Sequence, residues 1–317
     1  MIAAADVSAV FPGRSAPLRS AFVVGAPRCG TTFLAKALAR HPEVCFSKPK
    51  ETYFFQREAA AARPDAMREL LRRHFRRLED AHRVIAEGSP STLYDPAIAL
   101  RILELDPDAR FVVSVRNPVE MAPSFHARLL YTTDEDVTDF ATAWSLQAAR
   151  ARGERIPRRC RDPRMLQYRE ACSLGAHVET FVKSIGRERC HVVVFDDLAS
   201  DPRKVYSALL DFLGLVDDGR TRFERKNENR DVDRPWLQSL MINPPAPIVA
   251  WLAAMERRGL GTPQWVRTLR KRIKHANTRK AARGPLPAEL RETLRAAFAG
   301  DVARLGAVIG RDLSHWR

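Results

Sequence analysis

The chain has 317 residues, 45% hydrophobic and 29% charged, which fits a soluble globular protein with a sizeable core and excludes global disorder. Its formal net charge of +15 predicts attraction to anions (a nucleotide, a polyanionic acceptor, nucleic acid or a membrane surface) without choosing among them. Cys29, Cys45, Cys160, Cys172 and Cys190 are widely spaced, with no Cys-x-x-Cys pair and no His at metal-ligand spacing, so neither a disulfide framework nor a zinc site is expected and a reducing compartment fits better.

Residues 1–18 read as a loose arm of small residues with Pro12 and Pro17. The start carries no basic stretch followed by a long apolar run, so no secretory signal is expected. Nor does any stretch reach the roughly 18 apolar residues of a membrane span. A cytoplasmic location is the expectation. Ala21-Phe22-Val23-Val24 predicts a short buried strand, followed by the loop Gly25–Thr32 and a helix over Phe33–Arg40. Further strands are expected at Ile85, weakly, and strongly at Arg110–Val115 and Cys190–Phe195. Helical segments over Asp65–Leu78, Pro96–Leu105, Val137–Arg152 and Val178–Ile185 lie between them.

Continuous apolar strands alternating with helices predict an α/β fold, a P-loop-like central parallel sheet covered by helices on both faces. In such sheets ligands sit at the carboxyl ends of the strands, where Gly25–Thr32 and Arg116 both fall. From about Pro235 the pattern is helical and increasingly basic. The expected organisation is one domain over 19–317, with a basic helical segment at about 245–285 inside it.

Gly25-x-x-x-x-Gly30-Thr31-Thr32 matches most of a P-loop, in which glycines admit an anion to the backbone and a helix N-terminus aims N–H groups at it. The ATPase version needs Lys directly after the second Gly; here Thr31 stands there and the cation is Arg28, inside the loop. A cation beside the bridging oxygen of a phosphosulfate suits sulfuryl transfer, because negative charge gathers there as the leaving group departs.

Val24–Leu34 followed by His41-Pro42-Glu43-Val44 resembles the 5′-phosphosulfate loop of sulfotransferases that use 3′-phosphoadenosine-5′-phosphosulfate (PAPS). The segment Arg116-Asn117-Pro118-Val119-Glu120-Met121-Ala122-Pro123-Ser124-Phe125 resembles the second signature of that family. The resemblance implies PAPS as donor, 3′,5′-adenosine bisphosphate as product and no metal. It also implies that Arg28, Cys29, Gly30, Thr31 and Thr32 hold the 5′-phosphosulfate, and that Arg116 and Ser124 bind the 3′-phosphate. The residue types agree: Arg offers a planar, always-charged fork and Ser a neutral donor. Two further blocks resemble the family without chemistry of their own, Phe195-Asp196-Asp197-Leu198 through Leu215 and the ending Gly310–Trp316.

By its similarity to heparan-type and tyrosylprotein sulfotransferases, Glu51 in Lys48-Pro49-Lys50-Glu51-Thr52-Tyr53-Phe54-Phe55 is the base that takes the acceptor's proton. Arg28, Lys48 and Lys50 nearby favour its ionised form, so it orients the hydroxyl as much as it deprotonates it. Glu87-Gly88-Ser89-Pro90 is similar to a Glu-Lys-Thr-Pro segment of the heparan type, but Gly88 replaces the Lys, so a second cation must come from elsewhere, with Lys48 the candidate. His126 could line the cleft or simply pack. Lys226 and Arg230 fall where many members have a loop that closes over the nucleotide.

Between Arg257 and Arg283 ten Lys and Arg side chains occur without an acidic residue, with Trp265, Val266, Leu269 and Ile273 able to share one helix face. A polyanionic glycan, an anionic membrane surface or plain solvent could lie against it. No nucleic-acid partner is expected, since no helix-turn-helix, zinc or RNA-binding aromatic motif accompanies the charge. The expected acceptor is a hydroxyl or amine, on a carbohydrate before a small molecule. Two rivals stay open: a P-loop kinase or nucleotide hydrolase, and a non-enzymatic module that binds anionic glycan or membrane.

Overall fold

The computed structural model describes residues 2, 4–12, 14, 17–57, 63–223, 230–232, 240–241, 245–257, 263–280 and 286–316. In chain order the first half runs α1 (Ala4–Val10), β1 (Arg19–Gly25), α2 (Thr31–Leu38), β2 (Val44–Phe46), α3 (Phe54–Arg57), α4 (Ala66–His74), β3 (Val84–Glu87), α5 (Pro96–Leu105), β4 (Arg110–Val115) and α6 (Pro118–Thr132). Then come α7 (Phe140–Ser145), α8 (Gln147–Ala151), α9 (Tyr168–Cys172), α10 (Leu174–Ile185), β5 (Cys190–Val194), α11 (Phe195–Ser200) and α12 (Pro202–Leu213). The remainder is β6 (Arg230–Val232), α13 (Ala246–Arg257), α14 (Gln264–Ala276), β7 (Thr278–Lys280) and α15 (Ala288–Ile309).

The chain divides into two compact units. The first comprises residues 1–121, 173–226 and 295–317, and holds a five-stranded sheet of order β2-β3-β1-β4-β5 in which every pair is parallel. The order reverses at β1, flanked by β3 on one side and β4 on the other, which makes the carboxyl end of β1 the switch point where such sheets take ligands. Strand β1 is buried along its length after Arg19, and its Ala21 and Val23 join Leu34, Leu38, Val112, Val193, Leu209 and Leu213 in one core cluster. A strand covered on both faces needs such an unbroken apolar run.

Helix ends follow local chemistry. Asp95 caps α5 by accepting from Ala97 N at 3.2 Å, with Pro96 in the first turn. Asp201 caps α12 through Lys204 N at 2.9 Å, and Gly214 closes it at φ 65. The stretch expected to be a loose arm carries α1 instead. Ile2 and Val7 are buried in a second cluster with Met67, Leu70 and Phe75, and Arg14 donates to the carbonyls of Glu79 and His82.

The second unit comprises residues 122–172 and 227–294. Its centre is a fully buried fork, Arg150 Nη1 and Nη2 each 2.7 Å from Glu135, with Tyr168 Oη donating to the same carboxylate at 2.6 Å. Glu135 also accepts from Asp136 N and Val137 N, which holds that stretch out of helix. The helix expected over Val137–Arg152 therefore begins at Phe140, capped by Asp139, and breaks into α7 and α8. Strands β6 and β7 pair antiparallel, and Trp251 on α13 meets Trp265 on α14 with ring centroids 6.3 Å apart. No helix among the described residues is long and apolar enough to cross a membrane.

Candidate active site

At the carboxyl edge of the sheet in the first unit, β1, β3 and β4 lead into Gly25–Thr32, Gly88–Ser89 and Arg116, and β5 runs directly into α11 at Phe195. The Gly25–Thr32 loop is stitched to β4: Ala26 N donates to the Ser114 carbonyl at 2.6 Å, and the buried Ser114 hydroxyl donates to the Cys29 carbonyl. Arg28 is held at φ 68, a left-handed conformation that costs a non-glycine residue on the order of 1 kcal/mol. Gly30 follows at φ 92 as the N-cap of α2 and offers no side-chain acceptor to the helix. The first N–H groups of α2 have no intrahelical acceptor, so the loop suits an anion such as a phosphosulfate.

Gly30 is required twice over. A Cβ there would lie 2.7 Å from Leu198 Cδ2 and 3.1 Å from Phe195 Cδ2, in a backbone conformation that side chains rarely adopt. Gly30→Ala should destabilise the protein by about 2–3 kcal/mol, from left-handed strain plus overpacking, read by urea denaturation. Cys29 contributes backbone, not a thiolate. Burial pushes its thiol up to about 12 against the opposing pull of Arg116 and Arg28, and its sulfur packs 3.6 Å from Met121 Sδ.

Arg116 lies at the end of β4 with its guanidinium against this loop. Nη1 donates to the Arg28 carbonyl at 3.5 Å, Nη2 to Glu120 Oε2 at 2.8 Å, and Cζ lies over the Phe195 ring, 4.6 Å from its centroid. Ser124 is on α6, 3% exposed, in the second unit.

Glu51 accepts from Lys50 Nζ at 3.1 Å through Oε1 and from Tyr53 Oη at 2.8 Å through Oε2. Lys50 Nζ also reaches Thr31 Oγ1, at 3.3 Å, and so joins the carboxylate to the anion loop. Lys48, the cation expected here, is exposed, and its main chain is bound instead to His74, its N donating to the His74 carbonyl at 3.0 Å. The main chain explains the exchange: Ser47 Oγ and Gly88 N both donate to the Lys50 carbonyl. A Cβ at Gly88 would stand 3.0 Å from Lys50 Cε, so the lysine arm runs through the space that a side chain at 88 would need.

Glu87, to which no role was given from sequence, anchors this corner. It is 5% exposed and accepts from Thr52 N at 2.9 Å, Thr52 Oγ1 at 3.0 Å, Ser89 N at 3.0 Å and the Ser89 hydroxyl. Burial pushes its carboxyl above the usual range, although the four donors pull the other way. The one sequence signal for it was the Glu87-Gly88-Ser89-Pro90 pattern.

His126 is buried, with Nε2 donating to the Val137 carbonyl at 2.8 Å and its ring against Phe140 and Tyr168, a packing position inside the second unit. Lys226 lies outside the described residues, and of Arg230 only the main chain, in β6, is described. Among the described residues no three His, Cys, Asp or Glu gather at metal-ligand spacing.

A family model described as a sulfotransferase family matches residues 20–85 and 55–218. No curated protein matches the chain. Among solved structures, a sulfotransferase from Alicyclobacillus acidocaldarius is 25% identical, covering 96% of this chain and 99% of its own, with a TM-score of 0.63. The sulfotransferase domain of the Synechococcus PCC 7002 olefin synthase is 18% identical over 95% of this chain and 98% of its own, at 0.46. A mouse sulfotransferase complexed with PAP is 17% identical over 67% and 65%, at 0.38.

Proposed function

The chain belongs to the sulfotransferase family, and on that premise we propose that it moves the sulfuryl group of PAPS to a hydroxyl on a carbohydrate acceptor. One observation carries the reading: Lys50 Nζ bridges Thr31 of the anion loop and Glu51, so the group that would meet the acceptor is tied to the group that would hold the donor. PAPS supplies a sulfuryl group on an oxygen that leaves with the nucleotide's 5′-phosphate. Glu51 accepts the acceptor's proton as the new S–O bond forms. Arg28, Lys50 and the N–H groups of Gly30, Thr31 and Thr32 meet the charge that develops on the departing oxygen, where fixed donors are worth most. Arg116 takes the 3′-phosphate. Ser124 is its partner by the family resemblance alone, and Lys226 and Arg230 are carried over in the same way.

The acceptor class rests on charge. The net +15 and the cations of the segment at 245–285 favour an acceptor that is itself anionic, and a sulfated or uronate-bearing glycan is one. The described part of that segment exposes Leu269 together with Trp251 and Trp265, whose indole faces suit sugar rings. Incubation with radiosulfur-labelled PAPS and a panel of glycans, phenols, amines and anionic lipid vesicles tests both halves. Label on a glycan hydroxyl is the expected result. Label only on a phenol or lipid overturns the acceptor and keeps the donor. No transfer, together with Mg-ATP binding in place of the bisphosphate, would overturn the whole in favour of a kinase.

A further inference from the structure

We infer that Phe195 is a positioning residue for Arg116, and that the C-terminal segment Arg311–Trp316 holds it there by clasping the helix on which Phe195 stands. This rests on the reading of Arg116 as the 3′-phosphate ligand. The register sets up the pair: Val115 of β4 is opposite Val194 of β5, so Arg116 and Phe195 leave the sheet side by side.

A guanidinium has a flat face and an edge of N–H donors, and the two make different contacts here. The edge is engaged with Glu120, whose side chain is 57% exposed, and with the Arg28 carbonyl, while Cζ lies over the Phe195 ring, 4.6 Å from its centroid. A phosphate competes for the edge and displaces an exposed carboxylate. The aromatic face does not compete, because its attraction is to the cation's π-plane. Phe195 therefore holds Arg116 in one orientation both before and after the exchange. The same ring also borders the phosphate loop, since a Cβ at Gly30 would meet its Cδ2 at 3.1 Å and Cε2 at 3.4 Å. One side chain thus sets the spacing between the loop and the arginine.

Helix α11 has six residues, too few to hold a ring in place unaided. The C-terminal segment supplies the hold. Arg311 grips Asp197 with both terminal nitrogens, one at 2.6 Å, and Trp316 Nε1 donates to Asp196 Oδ2 at 2.7 Å. The Trp316 ring and Leu313 are each 2% exposed, so the clasp is anchored in apolar packing. The hydrogen bonds from Arg311 hold the Asp197 carboxyl below the usual range, which keeps the pair charged at neutral pH.

The test is calorimetric titration of the full chain with 3′,5′-adenosine bisphosphate and with 5′-AMP, on wild type, Phe195→Leu, Phe195→Tyr and Trp316→Phe. Phe195→Leu should weaken the bisphosphate about tenfold, the scale of a lost cation–π contact, and leave 5′-AMP within twofold. Phe195→Tyr should restore the preference. Trp316→Phe keeps an aromatic ring but loses the indole N–H, and should show a smaller loss with the same selectivity. Thermal melts establish that each variant is folded. Equal losses for both nucleotides, or none, in Phe195→Leu would overturn the inference while wild type still discriminates. A wild type that does not discriminate overturns the reading of Arg116, and this inference with it.

Discussion

Glu51→Gln should lower turnover by about 10²–10⁴-fold, the range a positioned general base supplies, and leave bisphosphate affinity unchanged. The variant keeps the shape of the side chain and removes its ability to take a proton. Each Glu51 oxygen already accepts one hydrogen bond, Oε1 from Lys50 and Oε2 from Tyr53. The two bonds hold the carboxylate in one orientation, which makes its contribution geometric as well as basic. Binding of 3′,5′-adenosine bisphosphate, followed by calorimetry, should not change, because the nucleotide ligands assigned above are Arg116 and the loop. Turnover within threefold of wild type would remove Glu51 from the chemistry.

Arg116→Ala should weaken the bisphosphate by about 100-fold while binding of 5′-AMP stays nearly constant, so the preference for a 3′-phosphate disappears. Hydrogen bonds to a charged partner contribute about 1.5–3 kcal/mol each, and a fork can make two. Arg116→Lys should not rescue it. An ammonium offers no planar fork and no flat face for the Phe195 ring, which lies 4.6 Å from the guanidinium. Glu120, left without its partner, is already largely exposed, so the loss reads out binding and not collapse of the loop. Equal weakening of both nucleotides would mean that Arg116 supports the loop through the Arg28 carbonyl and does not read the 3′-phosphate.

The glycine loop after β1, the strong strands and the place of Arg116 at the end of β4 were legible in the amino-acid sequence because their chemistry is local. A buried parallel strand must be an unbroken apolar run, a phosphate loop must place glycines at the strand-to-helix turn, and both signals fall within a dozen residues. Strand β2 gave no such signal, since three residues, Val44–Phe46, are too few for a period. Arm and helix could not be told apart before Ala4–Val10, because only the packing of Val7 onto the α4 cluster makes that segment worth ordering.

The corner around Glu51 divides the same way. Glu51 was named by resemblance, from its place ahead of an aromatic pair, but which of Lys48 and Lys50 lies against it was not open to sequence reasoning. Two lysines two positions apart differ by which way the main chain turns, and that turn is set by hydrogen bonds from Ser47 and from Gly88 on a neighbouring loop. Glu87 read as one letter of a pattern until burial gathered four donors around it. Sequence alone determined the class of fold, the glycine loop that follows β1 and the arginine that ends β4, since each depends on residues adjacent in the chain. The tertiary structure alone decided which lysine reaches the loop, which ring faces Arg116 and what the last residues hold, since those contacts join positions 19 to 120 residues apart.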